Sequence, residues 1–238
     1  MGLAIRIDID NPFGLSTRFR RRINIYSINY GFVPRWTRLG YLDNSTKLCK
    51  WLTNKGVPAT WFFRTVSCPT KSLIPLFTNN GHQINLHAER TGSLGDFTQE
   101  VRKWEKLCST KVTGFTKHGS GYLRLSKKHD VKYDPESLLH FAQELGMDYF
   151  IGNDMDYTKS IIKDDGFVYV PSIFWLDRLN QYDSGALDKL VEVSADIPVV
   201  LLIHPVWWVQ EPDVRKNLEW LVEKVEFEPL DKLLQIVP

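Results

Sequence analysis

Short apolar stretches alternate with longer segments of mixed apolar and polar residues along most of the chain. The short stretches are rich in β-branched and aromatic residues, as strands are: LAIRIDI, ATWFF, QINLH, VTGF, DYFI, FVYV and PVVLLIH. The segment DFTQEVRKWEKLC instead spaces Phe97, Val101, Trp104 and Cys108 along one helical face. About seven strands alternating with helices predict a parallel sheet closed, or nearly closed, into a barrel, although a doubly wound open sheet fits the same alternation.

The ends of the helical segments have residues that start and stop helices. DPESLLHFAQELG offers Asp134 as N-cap, Pro135 at the first helical position and Gly146 as terminator. STKLCKWLTNKG ends in Lys55 and Gly56, as a helix C-terminus does, and PDVRKNLEWLVEKV has amphipathic spacing. These segments are therefore predicted to be helices that cover the strands.

Two stretches interrupt the alternation. Residues 11–43 are too long for an ordinary strand-to-helix connection and include TRFRRR, so an inserted loop over the barrel mouth is predicted at about 11–43. HGSGYLRLSKKHDVKYD is glycine-rich at its start and basic afterwards, which is typical of a solvated loop. Because no linker divides the chain, we expect a single domain over 1–238.

Composition excludes several classes of protein. The chain has 238 residues, 43% of them hydrophobic, and its 30 Lys and Arg nearly balance 28 Asp and Glu, so neither nucleic acid nor a membrane surface is indicated as a partner. Its apolar runs are far shorter than the roughly 20 residues of a membrane span, and no secretory signal is recognisable. Three cysteines without close spacing indicate buried thiols rather than a disulfide framework or a zinc knuckle. We expect a cytoplasmic protein, with no indication of its oligomeric state.

Two acids stand at the end of the first strand. Alternate strand residues share a face, so Asp8 and Asp10 lie side by side, where each carboxylate raises the pKa of the other unless something relieves the repulsion. Arg6 shares that face and could form a structural ion pair with one of them. Turn chemistry at Asp10-Asn11-Pro12, or a backbone cap, would also explain an acid at this position.

Other polar residues follow further strands. In parallel α/β folds, ligands bind where the carboxyl ends of the strands meet. His87 ends QINLH, His118 follows VTGFTK and His204 ends PVVLLIH, so these imidazoles are expected to lie near Asp8 and Asp10. Imidazole nitrogen and carboxylate oxygen are ligands of a catalytic zinc or similar divalent ion. Such a site predicts that one acid binds the metal and the other acts as base.

Five motifs resemble those of a known family. RIDIDNP, NKGVPATWFF, NNGHQINLHAE, VTGFTKHGSG and IPVVLLIHP follow, in order and at about the same spacing, the motifs of polysaccharide deacetylases, the NodB-like carbohydrate esterases of family 4. The resemblance runs from residue 3 to about residue 208. It implies a distorted (β/α)7 barrel and metal-dependent hydrolysis, with zinc favoured, of an N-acetyl or related amide on a sugar.

The resemblance also implies roles for individual residues. Asp8 would be the general base and Asp10 a metal ligand, His87 would be the first histidine of a metal-binding pair, and His204 would be the general acid. His82 matches a histidine that usually supports the site.

The chain departs from the family pattern at three points. Thr91 stands where the second metal-binding histidine is expected, and Ile9 separates two acids that are usually adjacent, so Asp8 and Asp10 could exchange roles. Lys117 and His118 replace an Arg-Pro motif. We predict that His118 supplies the missing nitrogen, so that Asp10, His87 and His118 bind the metal; a chain that has lost its metal is the competing interpretation.

Substrate contacts are predicted from four further positions. Lys117 is one, and Asp154 in GNDMDY follows a strand where the family has an acid that orients the base, although a turn would look the same. Trp207 and Trp208 could stack on a sugar or form part of the barrel core. The arginines of residues 18–22 are typical of a solvated surface, but an anionic glycan would give them a function.

The leading hypothesis is therefore a metal-dependent deacetylase of N-acetylated sugars, with a carbohydrate, anionic or neutral, as substrate. One alternative is a non-sugar amide or ester hydrolase on the same barrel, because fold and metal do not fix the substrate. Another is a carbohydrate-binding homologue without catalytic activity, which Thr91 favours.

Overall fold

The computed structural model describes residues 2–13, 40–119 and 129–235. Its first half contains β1 (Leu3–Ile9), α1 (Asp43–Lys55), β2 (Thr60–Phe63), α2 (Ile74–Thr78), β3 (Gln83–Ala88), α3 (Leu94–Cys108) and β4 (Gly114–Lys117). Its second half contains α4 (Pro135–Glu144), β5 (Tyr149–Asp154), β6 (Ile162–Asp164), β7 (Phe167–Ser172), β8 (Phe174–Trp175), a 3₁₀ helix (Leu176–Gln181), α5 (Ala186–Asp196), β9 (Val199–Ile203), α6 (Pro205–Gln210), α7 (Pro212–Lys224) and α8 (Leu230–Gln235). Most of the predicted insertion, including the arginines of residues 18–22, lies outside the described residues.

The strands form one sheet in the order β6-β7-β5-β4-β3-β2-β1-β9-β8. All neighbours are parallel except β6 and β7. Only Ile173 separates β7, which pairs with β5, from β8, which pairs with β9. The segment 167–175 thus joins both ends of the parallel sheet, and the predicted distorted (β/α)7 barrel is confirmed.

Local sequence explains where the helices begin and end. The Asp134 carboxylate accepts the backbone N–H of Ser137 at 3.4 Å and Pro135 follows at the first helical position, as predicted. Gly56 ends α1 with φ 68°, a left-handed conformation that lets its N–H reach the last carbonyls of the helix. No helix in these parts of the chain is long and apolar enough to cross a membrane.

The two faces of β1 lie in different environments. Leu3, Ile5, Ile7 and Ile9 pack among the residues between the sheet and the outer helices. Ala4 belongs instead to a cluster inside the barrel, where the leucines of α8 form an apolar floor. By alternation Arg6 and Asp8 point to the same inner side, further towards the carboxyl end. The barrel therefore has an apolar floor and a charged mouth.

Candidate functional site

A cavity of about 320 Å³ opens at the carboxyl ends of the strands. Its lining includes the five acids and imidazoles predicted to meet there: Asp8, Asp10, His87, His118 and His204. It also includes Lys117 and Trp207, which the sequence predicted, and Asn153, Trp175, Asp177 and Arg178, which it did not.

Three ligand atoms meet at the mouth. The His118 Nδ1 atom lies 3.1 Å from Asp10 Oδ1 and 3.1 Å from His87 Nε2, which is 3.2 Å from the same Asp10 oxygen. On its other side, His87 Nδ1 lies 2.6 Å from Thr116 Oγ1. When Nδ1 donates to this hydroxyl, Nε2 holds the free lone pair and faces Asp10 and His118.

This arrangement fits a divalent metal ion. Asp10 Oδ1 is buried, and although two imidazole nitrogens lie within 3.2 Å, no donor in the described part of the chain meets it with hydrogen-bond geometry. Ligand atoms at about 2.0–2.2 Å from a tetrahedral zinc are separated by roughly 3.3–3.5 Å, close to the spacing found among Asp10, His87 and His118. Burial lowers the pKa of His87, which favours the neutral imidazole that a metal needs. Burial raises the pKa of Asp10, but the imidazoles, His118 foremost, bring it well below its ordinary value.

His204 forms a pair with an acid that the sequence did not reveal. Its Nδ1 lies 2.5 Å from Asp177 Oδ2, and its Nε2 faces Asp10 Oδ2 at 3.6 Å. Burial alone would lower the pKa of His204, but Asp177, and to a smaller extent Asp10, raise it to about 9. At neutral pH the imidazolium therefore presents a proton to the cavity. Asp177 follows the two-residue strand β8, which is too short to be recognised as a strand end in the sequence.

Asp8 is held by Arg6, as the ion-pair interpretation of the sequence allowed. Arg6 Nε and Nη2 donate to the two Asp8 oxygens at 2.9 and 2.6 Å. Arg6 also donates to the Gly152 carbonyl at 2.7 Å and to Asn153 Oδ1 at 2.8 Å, which links β1 to β5 across the barrel. Burial raises the pKa of Asp8, but Arg6 and His87 lower it below its ordinary value. The carboxylate is thus ionised and fixed in orientation.

Buried charged and polar side chains surround the triad of Asp10, His87 and His118. Arg64 pairs with Glu89 and donates to the Asp10 carbonyl. Lys117 is also buried, and its Nζ donates to the Asp130 carbonyl at 2.6 Å, so its charge holds a loop rather than facing the cavity freely. His129 is only 5% exposed and packs with its ring centroid 5.1 Å from that of His118.

Two predicted substrate-binding residues lie elsewhere. Asp154 is exposed, pairs with Lys159 and accepts the backbone N–H of Asp156 at 2.9 Å, which is the turn chemistry that the sequence left open. Trp208 is 7% exposed and packs against Trp51 at 5.6 Å between centroids, so it belongs to the core. Asn153 rather than Asp154 reaches the cavity, because alternate residues of β5 point to opposite faces.

Comparisons with solved structures identify the fold. A protein from Mycobacterium smegmatis proposed to be a polysaccharide deacetylase is 14% identical, covers 99% of this chain and 89% of its own, and superposes with a TM-score of 0.60. One from Pseudomonas aeruginosa PAO1, also proposed to be a polysaccharide deacetylase, is 14% identical, covers 98% and 89%, and has a TM-score of 0.60. The chain has the polysaccharide deacetylase fold.

The PuuE allantoinase shares the deacetylase fold as well, with 13% identity, coverage of 98% of this chain and 88% of that one, and a TM-score of 0.62. No protein-family model matches the sequence, and no curated protein does. The similarity is therefore one of architecture.

Thr91, which stands where the motif resemblance predicts a second metal-binding histidine, does not line the cavity. Its side chain is buried, and its Oγ1 lies 3.4 Å from Asp130 Oδ2. His82 bridges α1 and β2 through Thr53 Oγ1 at 3.0 Å and the Ala59 N–H at 3.1 Å. His118, at the end of β4, is the residue that places a second nitrogen beside Asp10 and His87.

Proposed function

We propose that this protein is a metal-dependent hydrolase that removes the acetyl group from an N-acetylated sugar. The observation that supports this most is that one cavity contains both a set of metal-ligand atoms and a proton donor. The ligand atoms belong to Asp10, His87 and His118, and the proton donor is Nε2 of His204. A ligand set of one carboxylate and two imidazoles with an open position favours zinc. The fold, shared with proteins proposed to be polysaccharide deacetylases, supports a sugar as the acyl carrier.

The contacts of the two acids favour distinct roles. Asp8 accepts from Arg6 with both oxygens, whereas Asp10 Oδ1 faces imidazole nitrogens and meets no donor with hydrogen-bond geometry among the described residues. Asp10 is therefore the better ligand. Asp8 is the better base, since its Oδ2 borders the triad, 3.7 Å from His87 Nε2, and Arg6 keeps it ionised.

The residues then divide the reaction among them. Asp10, His87 and His118 would hold a divalent ion, which would supply Lewis-acid chemistry by polarising an acyl carbonyl and making water more acidic. Asp8 takes a proton from the attacking water, and Arg6 fixes the direction from which its oxygen approaches. His204 gives its Nε2 proton to the departing amine, while Asp177 stabilises the imidazolium before that transfer.

A second candidate is a hydrolase of a non-sugar amide. The fold similarity to an allantoinase favours it, because that protein matches this chain as well as the two sugar-related neighbours do. The same triad and the same acid would serve either substrate.

Metal binding is the first test. Protein purified without chelator is expected to contain about one equivalent of zinc, and His118→Ala is expected to weaken zinc affinity at least 100-fold, because two ligands would remain of three. His140→Ala, at a histidine of α4 outside the cavity, is the matched control and should leave affinity unchanged. Less than about a tenth of an equivalent of any divalent metal, with no metal-dependent thermal shift, would favour the binding homologue.

Acetate release from a panel of N-acetylated sugars tests the reaction itself. Activity should require the metal and should be lost in Asp8→Asn, which keeps the shape of the side chain but removes the base, and in His204→Gln, which keeps a polar side chain but removes the acid. Turnover of simple esters or cyclic amides with no sugar as substrate would support the second candidate instead.

A further inference from the structure

The wall of the cavity beside His204 is built from side chains that the proposed reaction does not use. Trp175 packs with its ring centroid 6.0 Å from that of His204, and the guanidinium carbon of Arg178 lies 4.0 Å from the centroid of the Trp175 ring. Trp207 lines the same cavity and is 37% exposed. Arg178 therefore stands on the His204 side of the mouth, with its guanidinium over the face of an indole.

The other cationic side chains around the cavity have partners. Arg6 pairs with Asp8, and Lys117 donates to the Asp130 carbonyl. His204 Nδ1 lies 2.5 Å from Asp177 Oδ2. Within residues 2–13, 40–119 and 129–235, Arg178 makes no ion pair or hydrogen bond. Its guanidinium instead makes a cation–π contact with the Trp175 ring. It thus retains the five donors of a guanidinium while the stacking restricts its orientation.

We propose that Arg178, stacked on Trp175, forms a subsite for an oxyanion, a carboxylate or a phosphate, on the amine side of the substrate. This inference rests on the proposed function, because His204 marks the amine side only if it protonates the leaving amine. The acyl group would then lie at the triad, and the remainder of the substrate would extend past His204 towards Arg178. A guanidinium binds both kinds of oxyanion in a bidentate manner, and this geometry gives specificity as well as affinity.

The consequence is a choice among N-acetylated substrates. A neutral amino sugar would leave Arg178 unpaired, whereas an amino sugar with a carboxylate or phosphate would form a charge-assisted hydrogen bond there. Trp207 offers an exposed aromatic face to the ring of either one. Affinity for the anionic member of a matched pair is expected to exceed that for the neutral member about tenfold.

Calorimetric titration of the zinc-loaded protein with reaction products tests this without turnover. The probes are glucosamine, glucosamine 6-phosphate and muramic acid, which share a ring and differ in having no oxyanion, a phosphate or a carboxylate. We expect the two anions to bind about tenfold more tightly than glucosamine, and the tighter of the two identifies the natural group. Arg178→Gln should remove the difference without changing glucosamine binding, and Arg178→Lys should keep part of it. Arg215→Gln, at an exposed arginine of α7, is the matched control.

Three results would overturn the subsite: equal affinity for all three products, no binding of any, or a preference that persists in Arg178→Gln. Because Arg178 is exposed, its replacement should leave the unfolding temperature unchanged, so a loss of preference cannot be assigned to misfolding. An anion preference in a protein that neither retains zinc nor releases acetate would refute the proposed function and leave the oxyanion subsite in place.

Discussion

Asp8 and Asp10 look equivalent in the sequence and differ in the folded protein. The Asp8 side chain is 3% exposed and accepts from Arg6 with both oxygens, whereas Asp10 is 33% exposed and faces three imidazoles. The partners of Asp10 lie at the carboxyl ends of β3, β4 and β9, which are far apart in the chain. Strand alternation could place both acids on one face, but only the assembled barrel assigns them different neighbours.

The side chain of His129 lowers the stability of the folded protein. It is buried, neither ring nitrogen has a partner within residues 2–13, 40–119 and 129–235, and burial together with His118 lowers its pKa to about 4. His129→Phe keeps a planar ring and removes both unsatisfied nitrogens, so we expect the free energy of unfolding of the metal-free protein to rise by about 1 kcal/mol. Urea unfolding with a chelator present measures this.

The control for that measurement is His82→Phe, where both ring nitrogens are hydrogen-bonded and the same change should destabilise the protein. Equal effects at His129 and His82 would contradict the assignment of a specific cost to His129.

At the scale of elements, the junction of β3 and α3 places an acid under the site. Glu100 of α3 accepts the backbone N–H groups of Glu89 and Arg90 at 2.9 and 2.7 Å, immediately beyond the strand that bears His87. Burial and then the Glu89 charge raise the pKa of Glu100 to about 7. The helix thus fixes the end of β3 through a carboxyl that is protonated below neutrality.

This raised pKa predicts how stability depends on pH. The folded protein holds a proton on Glu100 that the unfolded chain releases near pH 4.5, so the stabilising contribution is complete below pH 4.5 and is lost as pH rises to about 7. Glu100→Gln keeps an oxygen acceptor without the charge. Its free energy of unfolding at pH 8 should exceed that of the wild type by about 2 kcal/mol, and the advantage should disappear at pH 4. Parallel profiles of the two proteins from pH 4 to pH 8 would contradict this.

The elements that the sequence could predict are those with a strong hydrophobic pattern. β1, β2, β3, β4, β5, β7 and β9 each appear as an apolar run, and the capped helix α4 appears with its start and stop residues. β6 is exposed at all three positions and β8 has two residues, so neither has a pattern to detect. This explains why the sequence did not predict two residues of the site. Asp177 follows β8, which is too short to recognise, and Asn153 could be assigned to the cavity face only with the register of β5 known.

At the scale of the whole molecule, Arg6 connects opposite parts of the barrel. It is 1% exposed and joins Asp8 on β1 to Gly152 and Asn153 on β5. Arg6→Met would leave the Asp8 charge buried without its cation, so we expect a loss of about 3–5 kcal/mol in the free energy of unfolding. The double variant Arg6→Met, Asp8→Leu should recover most of that loss. Additive losses in the double variant would contradict a coupled pair.

The segment 167–175 that closes the barrel continues without a break into Asp177 and Arg178. Its pairing with β9 involves only Phe174 and Trp175, so this seam is held by few hydrogen bonds and is a natural place for the native state to open locally. An opened form would keep Asp10, His87 and His118 at the carboxyl ends of β1, β3 and β4 but would separate Asp177 from His204. If the proposed metal site is right, such a partly unfolded molecule would still bind metal while its His204 lacks Asp177, so metal retention alone would overstate the fraction of active protein in a preparation.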